Sequence, residues 1–232
     1  MKIACLFSGG KDSTYALYNA IQEEHSVECL VAIKSKRRDS WMFHTPNIEY
    51  VEVQARALDI PIIIEYSKGE KEKELYDLKR ALKKSIKEYN IKGVYCGALA
   101  SNYQRTRVEK ICNELNLTLF SPLWHKEPEA YMNELIKSGF KILITAIASF
   151  GLSKKWLGRK LDKKVLDDLI KLNKKTKIHL GGEGGEYETF VLDGPIFKKR
   201  VKILDYAIEM ENEYTGRLII RDLSLIRKKK QD

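Results

Sequence analysis

The stretch "KIACLFSGGKDS", residues 2–13, decides the fold. Residues 2–7 are a short, nearly unbroken apolar run, as expected of a strand buried in a parallel sheet. Ser8, Gly9 and Gly10 stop it, and Tyr15, Leu17, Ala20 and Ile21 then recur as the apolar face of a helix. A strand passing through a glycine turn into a helix is where open α/β sheets bind phosphates, because the N–H groups of the turn and first helical residues point at the anion. Gly9 and Gly10 permit close backbone approach, Lys11 adds a point charge, and Ser8 and Ser13 add hydroxyls. The segment is not a GxxxxGK[ST] loop: Cys5 stands where the first glycine belongs and Asp12 where Ser or Thr is required. It does not fit GxGxxG either, and an ordinary glycine turn is the alternative.

Outward from that turn the pattern repeats. "VECLVAIKS" (27–35), "PIIIEYS" (61–67), "GVYCGAL" (93–99) and "LTLFSPLW" (117–124) read as four more strands. Between them lie helical faces. Thr45 and Pro46 cap one whose apolar row is Ile48, Val51, Ala55 and Leu58. Leu75, Leu78, Leu82 and Ile86 mark another, and a third covers about 104–115. Alternating strands and helices predict a Rossmann-like, doubly wound parallel sheet of five strands. After Trp124 the alternation stops. Helices near 128–138 and 162–173 flank "FKILITAIASF", and from Lys177 onward "KIHL", "YETFVL", "VKILDYAIEME" and "GRLIIRDLSLI" read as strands of an antiparallel or mixed sheet. The fold class is α/β, with residues 1–124 as a nucleotide-binding domain and 125–232 as a smaller α+β domain.

The chain of 232 residues is 44% hydrophobic, enough for a real core, and carries a formal net charge of +10. That balance suits either an anionic partner or a surface of interleaved Lys and Glu; "EKEKELYDLKRALKKSIKEYN" mixes both signs along one helix, which favours the second. No apolar run is long enough for a signal peptide or a membrane span, so a soluble cytoplasmic protein is expected. Cys5, Cys29, Cys96 and Cys112 form no CxxC pair, which argues against zinc or iron–sulfur.

"GGEGGEYETFVLDGP" (181–195) runs against the charge balance, setting Glu183, Glu186 and Glu188 among glycines. Acids crowded on a flexible glycine loop repel one another and are expected to contribute little to folding. With Tyr187 they offer carboxylates and an aromatic face, a combination that holds cations; an exposed glycine-rich turn is the alternative. "SNYQRTR" follows the fourth strand, where Gln104, Arg105 and Arg107 present amide and guanidinium donors, or else a solvated helix face. His44 lies beyond the second strand, as a nucleotide contact or as helix-end packing.

Ser8-Gly-Gly-Lys-Asp-Ser13 resembles the SGGxDS signature of the PP-loop ATP pyrophosphatases, in the adenine nucleotide alpha hydrolase-like superfamily. "MFHTPN" (42–47), "GALASNYQRTRVE" (97–109), "LWHK" (123–126) and the acidic stretch together resemble the diphthine–ammonia ligases over almost the whole chain. The resemblance implies ATP-driven amidation of diphthine on translation elongation factor 2. An acyl-adenylate would be the intermediate, and diphthamide, AMP and pyrophosphate the products. It implies ATP and Mg²⁺ at Ser8, Gly9, Gly10, Lys11, Asp12, Ser13, His44 and Gly97, with Asp12 toward the metal. Substrate contacts fall to Gln104, Arg105, Arg107, Glu183, Glu186, Tyr187 and Glu188, and catalysis to Lys11, Asp12, Glu183 and Glu186. Lys2, where a glutaminase would carry a cysteine nucleophile, points to free ammonium as the nitrogen donor. Nucleic acid and membrane are not expected partners, and a homo-oligomer stays open. The rival readings are a tRNA-modifying enzyme of the same superfamily and an ATP-binding module without turnover.

Overall fold

The first strand is the axis of the N-terminal half. In the computed structural model, which describes residues 1–35, 47–68, 73–99 and 101–228, β1 (Lys2–Leu6) lies between β2 (Ser26–Ser35) and β4 (Gly93–Tyr95). Outside them lie β3 (Ile62–Ser67) and β5 (Thr118–Phe120), giving the order β3-β2-β1-β4-β5 with every pairing parallel. Cys5 stands opposite Leu30 on one side and Tyr95 on the other. Ile3, Ala4 and Cys5 are fully buried, so both faces of β1 are covered, as its unbroken apolar run requires.

Helices supply the cover. Ala4, Cys29, Val31, Ile33, Ile63 and Val94 share one core with Leu78, Ala81 and Leu82 of α3 (Lys73–Tyr89) and Val108, Ile111 and Cys112 of α4 (Asn102–Glu114). Ile3 and Cys5 alternate to the other face. Ala16, Leu17 and Ala20 of α1 (Lys11–Gln22) and Val51, Ala55 and Leu58 of α2 (Val51–Leu58) are also buried. The doubly wound five-stranded sheet is thus present, and the chain's direction across it reverses between β1 and β4, the position where such sheets bind ligands.

Three local expectations change. Strands β4 and β5 are shorter than their apolar runs: Cys96 still donates to the Phe120 carbonyl at 2.9 Å, but the chain then leaves the sheet because Gly97 runs against the start of α1. Helix α2 is entered through a 3-10 turn at Ile48–Tyr50, and the expected cap at Thr45 and Pro46 lies outside the described residues, as does His44. "KIHL" is not a strand. Lys177, at φ +62°, closes the preceding helix, and the Asn173 side chain donates to the Ile178 carbonyl at 2.6 Å.

The chain divides into two units, Met1–His125 and Lys126–Asp232. In the second, α5 (Pro128–Lys137) is capped by Glu127, whose carboxylate accepts from the N–H groups of Glu129 and Ala130, and α6 (Lys163–Thr176) by Asp162, which accepts from Val165 N–H at 2.9 Å. Tyr131, Met132 and Leu135 of α5 and Val165, Leu166 and Leu169 of α6 are buried. The sheet is antiparallel, in the order β7-β6-β9-β8, from β6 (Lys141–Ala148), β7 (Tyr187–Asp193), β8 (Lys199–Met210) and β9 (Thr215–Arg227). Among the described residues no helix is long and apolar enough to cross a membrane.

Candidate functional site

The turn after β1 is shaped by contacts that reach well beyond it. Gly9 has φ +78°, and a Cβ there would lie 1.9 Å from Oε1 of Gln54. The fully buried Gln54, from α2, donates through Nε2 to the Gly9 carbonyl at 2.9 Å. Ser8 N–H donates to Ser13 Oγ at 3.2 Å, the two hydroxyl oxygens are 3.1 Å apart, and Ser13 Oγ also reaches the Gly10 carbonyl at 3.2 Å. Thr14 Oγ1 donates to the same carbonyl at 2.8 Å. The serines expected to face phosphates therefore also hold the turn closed.

Gly10 is the N-cap of α1 and has no side chain to offer the first helical N–H groups. Lys11 follows, only 3% exposed, with its ammonium 2.8 Å from Asp12 Oδ2. Burying an ammonium is costly without a counter-charge, and Asp12 supplies one. The result is a positive helix end with a sequestered lysine and one adjacent carboxylate. Among the described residues no group of three His, Cys, Asp or Glu side chains could hold a metal. A divalent ion here would have to arrive coordinated mainly by phosphate oxygens and water, with Asp12 as the protein's oxygen ligand.

Gly97 packs against the other side of this turn. A Cβ there would meet the Asp12 carbonyl carbon at 2.6 Å and Ser13 N at 2.8 Å, so the chain leaving β4 packs directly on the backbone of the β1–α1 turn. Beyond it, α4 carries Arg105 and Arg107, both half-buried. The Arg105 guanidinium lies 4.5 Å from the centroid of Trp124, whose ring meets His125 edge-on, and His125 N–H donates to the Leu99 carbonyl at 2.9 Å. Among the described residues the buried Nε–H of Arg105 has no acceptor. A guanidinium held over an indole keeps its other donors directed. Gln104 lies on α4, and its side chain is outside the described residues.

The acidic stretch lies in the second unit, and its members differ. Glu186 is a staple. One carboxylate oxygen accepts from His179 N–H and the other from Gly184 N–H, each at 2.8 Å. His179 Nδ1 accepts from Gly181 N–H at 3.1 Å, adding a second tie across the loop. The expectation that these acids contribute little to folding fails at Glu186, because its charge satisfies backbone donors that the glycines leave open. Tyr187 differs from expectation too: it is 1% exposed, and its hydroxyl donates to the Leu180 carbonyl at 2.5 Å, so its ring lies in the core and presents no face to a ligand. Glu183 on the loop and Glu188 on β7, opposite Ala146, are half-buried.

Two contributors carried weak sequence signals. Gln54 is a polar residue on the buried row Val51, Ala55 and Leu58, where a side chain must find a partner. His179 stands two residues before Gly181, inside the strand-like "KIHL". All four cysteines are buried, and burial pushes the Cys29 thiol up to about 11 and the Cys112 thiol to about 12, which disfavours the reactive thiolate at both.

Residues 1–119 match the family profile described as the diphthamide synthase N-terminal domain, and residues 127–226 match the C-terminal domain of the same family. The chain belongs to the diphthamide synthase family. Among curated relatives it is 36% identical to the diphthine–ammonia ligase of Mus musculus over 225 residues, covering 88% of this chain and 83% of that one. It is 35% identical to that of Homo sapiens, covering 87% and 82%. The Schizosaccharomyces pombe relative of the same name is 36% identical over 90% of this chain, which spans only 37% of that protein's length. Both family domains are thus present here, and the turn at Gly9 and Gly10 falls in the first while the Glu186 staple falls in the second.

Proposed function

We propose that this protein is an ATP-dependent ligase that amidates diphthine on elongation factor 2 with ammonium. The observation that carries the reading is the buried Lys11 at the start of α1, set at the point where the sheet reverses direction and flanked by the bare Cα of Gly97. Bare N–H groups, a helix N-terminus and a sequestered ammonium are the donor set a triphosphate needs. The names borne by the relatives supply the acceptor.

In this reading Gly9, Gly10 and Ser13 shape the turn, and the N–H groups at the start of α1 bind phosphate oxygens. Lys11 exchanges Asp12 for the phosphates, and the Asp12 carboxylate so freed would hold Mg²⁺, whose charge would shield the triphosphate. Arg105, fixed on Trp124, and Arg107 bind anionic oxygens. The diphthine carboxylate attacks the α-phosphorus, so a carboxylate–phosphorus bond forms and the bond to the pyrophosphate leaving group breaks. Ammonia then attacks the acyl carbon of the adenylate, loses a proton to solvent or a nearby carboxylate, and AMP departs. Glu183 and Glu188 are the acids assigned to the cationic acceptor and to ammonium, while Glu186 holds the loop that carries Glu183.

The test supplies ATP, Mg²⁺, ammonium and diphthine-bearing elongation factor to the purified protein. The expected result is amidated factor by mass spectrometry with AMP and pyrophosphate in equal amounts. ADP and orthophosphate, or ATP turnover independent of the factor, would overturn the reading.

A further inference from the structure

Three backbone segments meet at one end of the C-terminal sheet. Ala148 N–H, at the end of β6, donates to the Glu186 carbonyl at 2.8 Å, and Ser149 N–H donates to the Tyr214 carbonyl at 3.2 Å. These bonds extend the β6–β7 and β6–β9 ladders by one step each. They line up the acidic loop, the turn after β6 and the β8–β9 hairpin turn side by side.

Two aromatic side chains stand there. Phe150 is 66% exposed, an unusual state for so large an apolar group, and its ring centroid lies 5.0 Å from that of Tyr214 with the planes 61° apart. Burial and a hydrogen bond to Glu213 push the Tyr214 phenol up, which places a carboxylate beside the pair. The same hairpin turn carries Glu211, paired with Arg217 at 3.0 Å, and the neighbouring loop carries Glu183 and Glu186. In a chain of formal net charge +10, this end of the sheet gathers carboxylates around the exposed Phe150 and the half-buried Tyr214.

We propose that Phe150 and Tyr214 bind the quaternary ammonium of the acceptor. A trimethylammonium group has no N–H to donate, so it cannot use the hydrogen-bond acceptors that hold a lysine; its charge is spread over methyl groups that fit aromatic faces and the field of nearby carboxylates. Tyr187, whose ring is buried, cannot supply such a face, and the Phe150–Tyr214 pair one strand away can. The inference rests on the acceptor being diphthine, as read above, and adds which residues recognise its cation.

The experiment uses the full chain and steady-state amidation of diphthine-bearing factor. Phe150→Leu and Tyr214→Leu keep apolar bulk and remove the π face. Each is expected to raise KM for the factor roughly tenfold, leaving kcat little changed and KM for ATP unmoved. Phe150→Trp should retain wild-type KM. Tetramethylammonium should compete with the factor in the wild type, at ionic strength matched with sodium chloride, and lose that effect in Phe150→Leu. The neutral tert-butyl analogue 2,2-dimethylpropan-1-ol, (CH3)3C–CH2OH, should compete poorly. An active enzyme whose KM is unchanged in both Leu variants overturns this inference and leaves the ligase reading intact. Equal competition by the alcohol also overturns it, as plain apolar contact. A wild-type protein that amidates nothing overturns the ligase reading, and this inference falls with it.

Discussion

Two glycine-rich loops, one in each unit, solve opposite electrostatic problems by different means. Around Gly9 and Gly10 the glycines bring backbone close to backbone, and the charge of the site comes from a helix end and one buried lysine. Around Gly182 and Gly184 the glycines leave N–H groups that need acceptors, and Glu186 and His179 supply them. The first loop is held in part from outside, by Gln54 of α2, as well as by Ser8 and Ser13. The second is held by its own side chains. Substitution in the first should therefore damage chemistry through geometry, whereas in the second it should separate residues that build the loop from residues that use it.

The largest effect is expected at Gly97. A valine there places Cβ within 2.6–2.8 Å of the Asp12 and Ser13 backbone, and no flexible side chain can yield to it. The start of α1 must shift, and a displacement of about 1 Å at a reacting centre costs on the order of a hundredfold in rate. Overpacking of this kind costs about 1–3 kcal/mol, which lowers Tm by roughly 2–12 °C at this chain length. Factor-dependent pyrophosphate release and calorimetry measure the two. A Gly97→Val protein that releases pyrophosphate at the wild-type rate would detach the β4 junction from the active turn.

A smaller effect sharpens the contrast inside the second loop. Glu183→Gln and Glu186→Gln should both lose amidation while ATP binding survives, but for different reasons. In Glu186→Gln an amide NH₂ replaces one accepting oxygen and faces a backbone N–H that needs an acceptor. Hydrogen bonds to charged groups contribute about 1.5–3 kcal/mol, less when partly exposed, so exchange at the His179 or Gly184 amide should accelerate by roughly tenfold. Glu183→Gln should leave those amides protected. Equal protection in both variants would mean that Glu186 is no staple.

The same contrast explains what was legible in the sequence. The parallel sheet was, because a strand covered on both faces must be apolar throughout and a helix covered on one face must be apolar every third or fourth residue, as in Leu75, Leu78, Leu82 and Ile86. The glycine turn was legible for a related reason: few residues fit a close backbone approach. The division of labour in "GGEGGEY" was not. Glutamates that bind backbone and glutamates that face a ligand are the same letter, and Tyr187 differs from Tyr214 only in burial, which depends on strand pairing far along the chain. "KIHL" misled because four residues with alternating polarity fit a helix end as well as a strand.

The smallest effect tests the two units through their thiols, all four of which lie in the first. Burial lifts Cys29 from the ordinary 9.0 to about 11 and Cys112 to about 12, and lifts Cys5 further in the same direction. The folded state thus holds these protons more tightly than the unfolded state does. Their contribution to stability is complete below pH 9 and is lost as pH rises from there toward the folded values. Hydrogen exchange read unit by unit in denaturant should show the first unit weakening between about pH 9 and 11. The second unit has no thiol to titrate, and a raised group there, the half-exposed Tyr214, should have a weaker effect. Replacing Cys29 and Cys112 together by alanine lowers the baseline but should reduce the alkaline slope of the first unit, because two of the groups whose ionisation opposes folding are gone while Cys5 remains. If the slope persists unchanged in that variant, the alkaline sensitivity belongs to other groups in the first unit, and Tyr95, bonded at 2.6 Å to Glu23, is the next to replace.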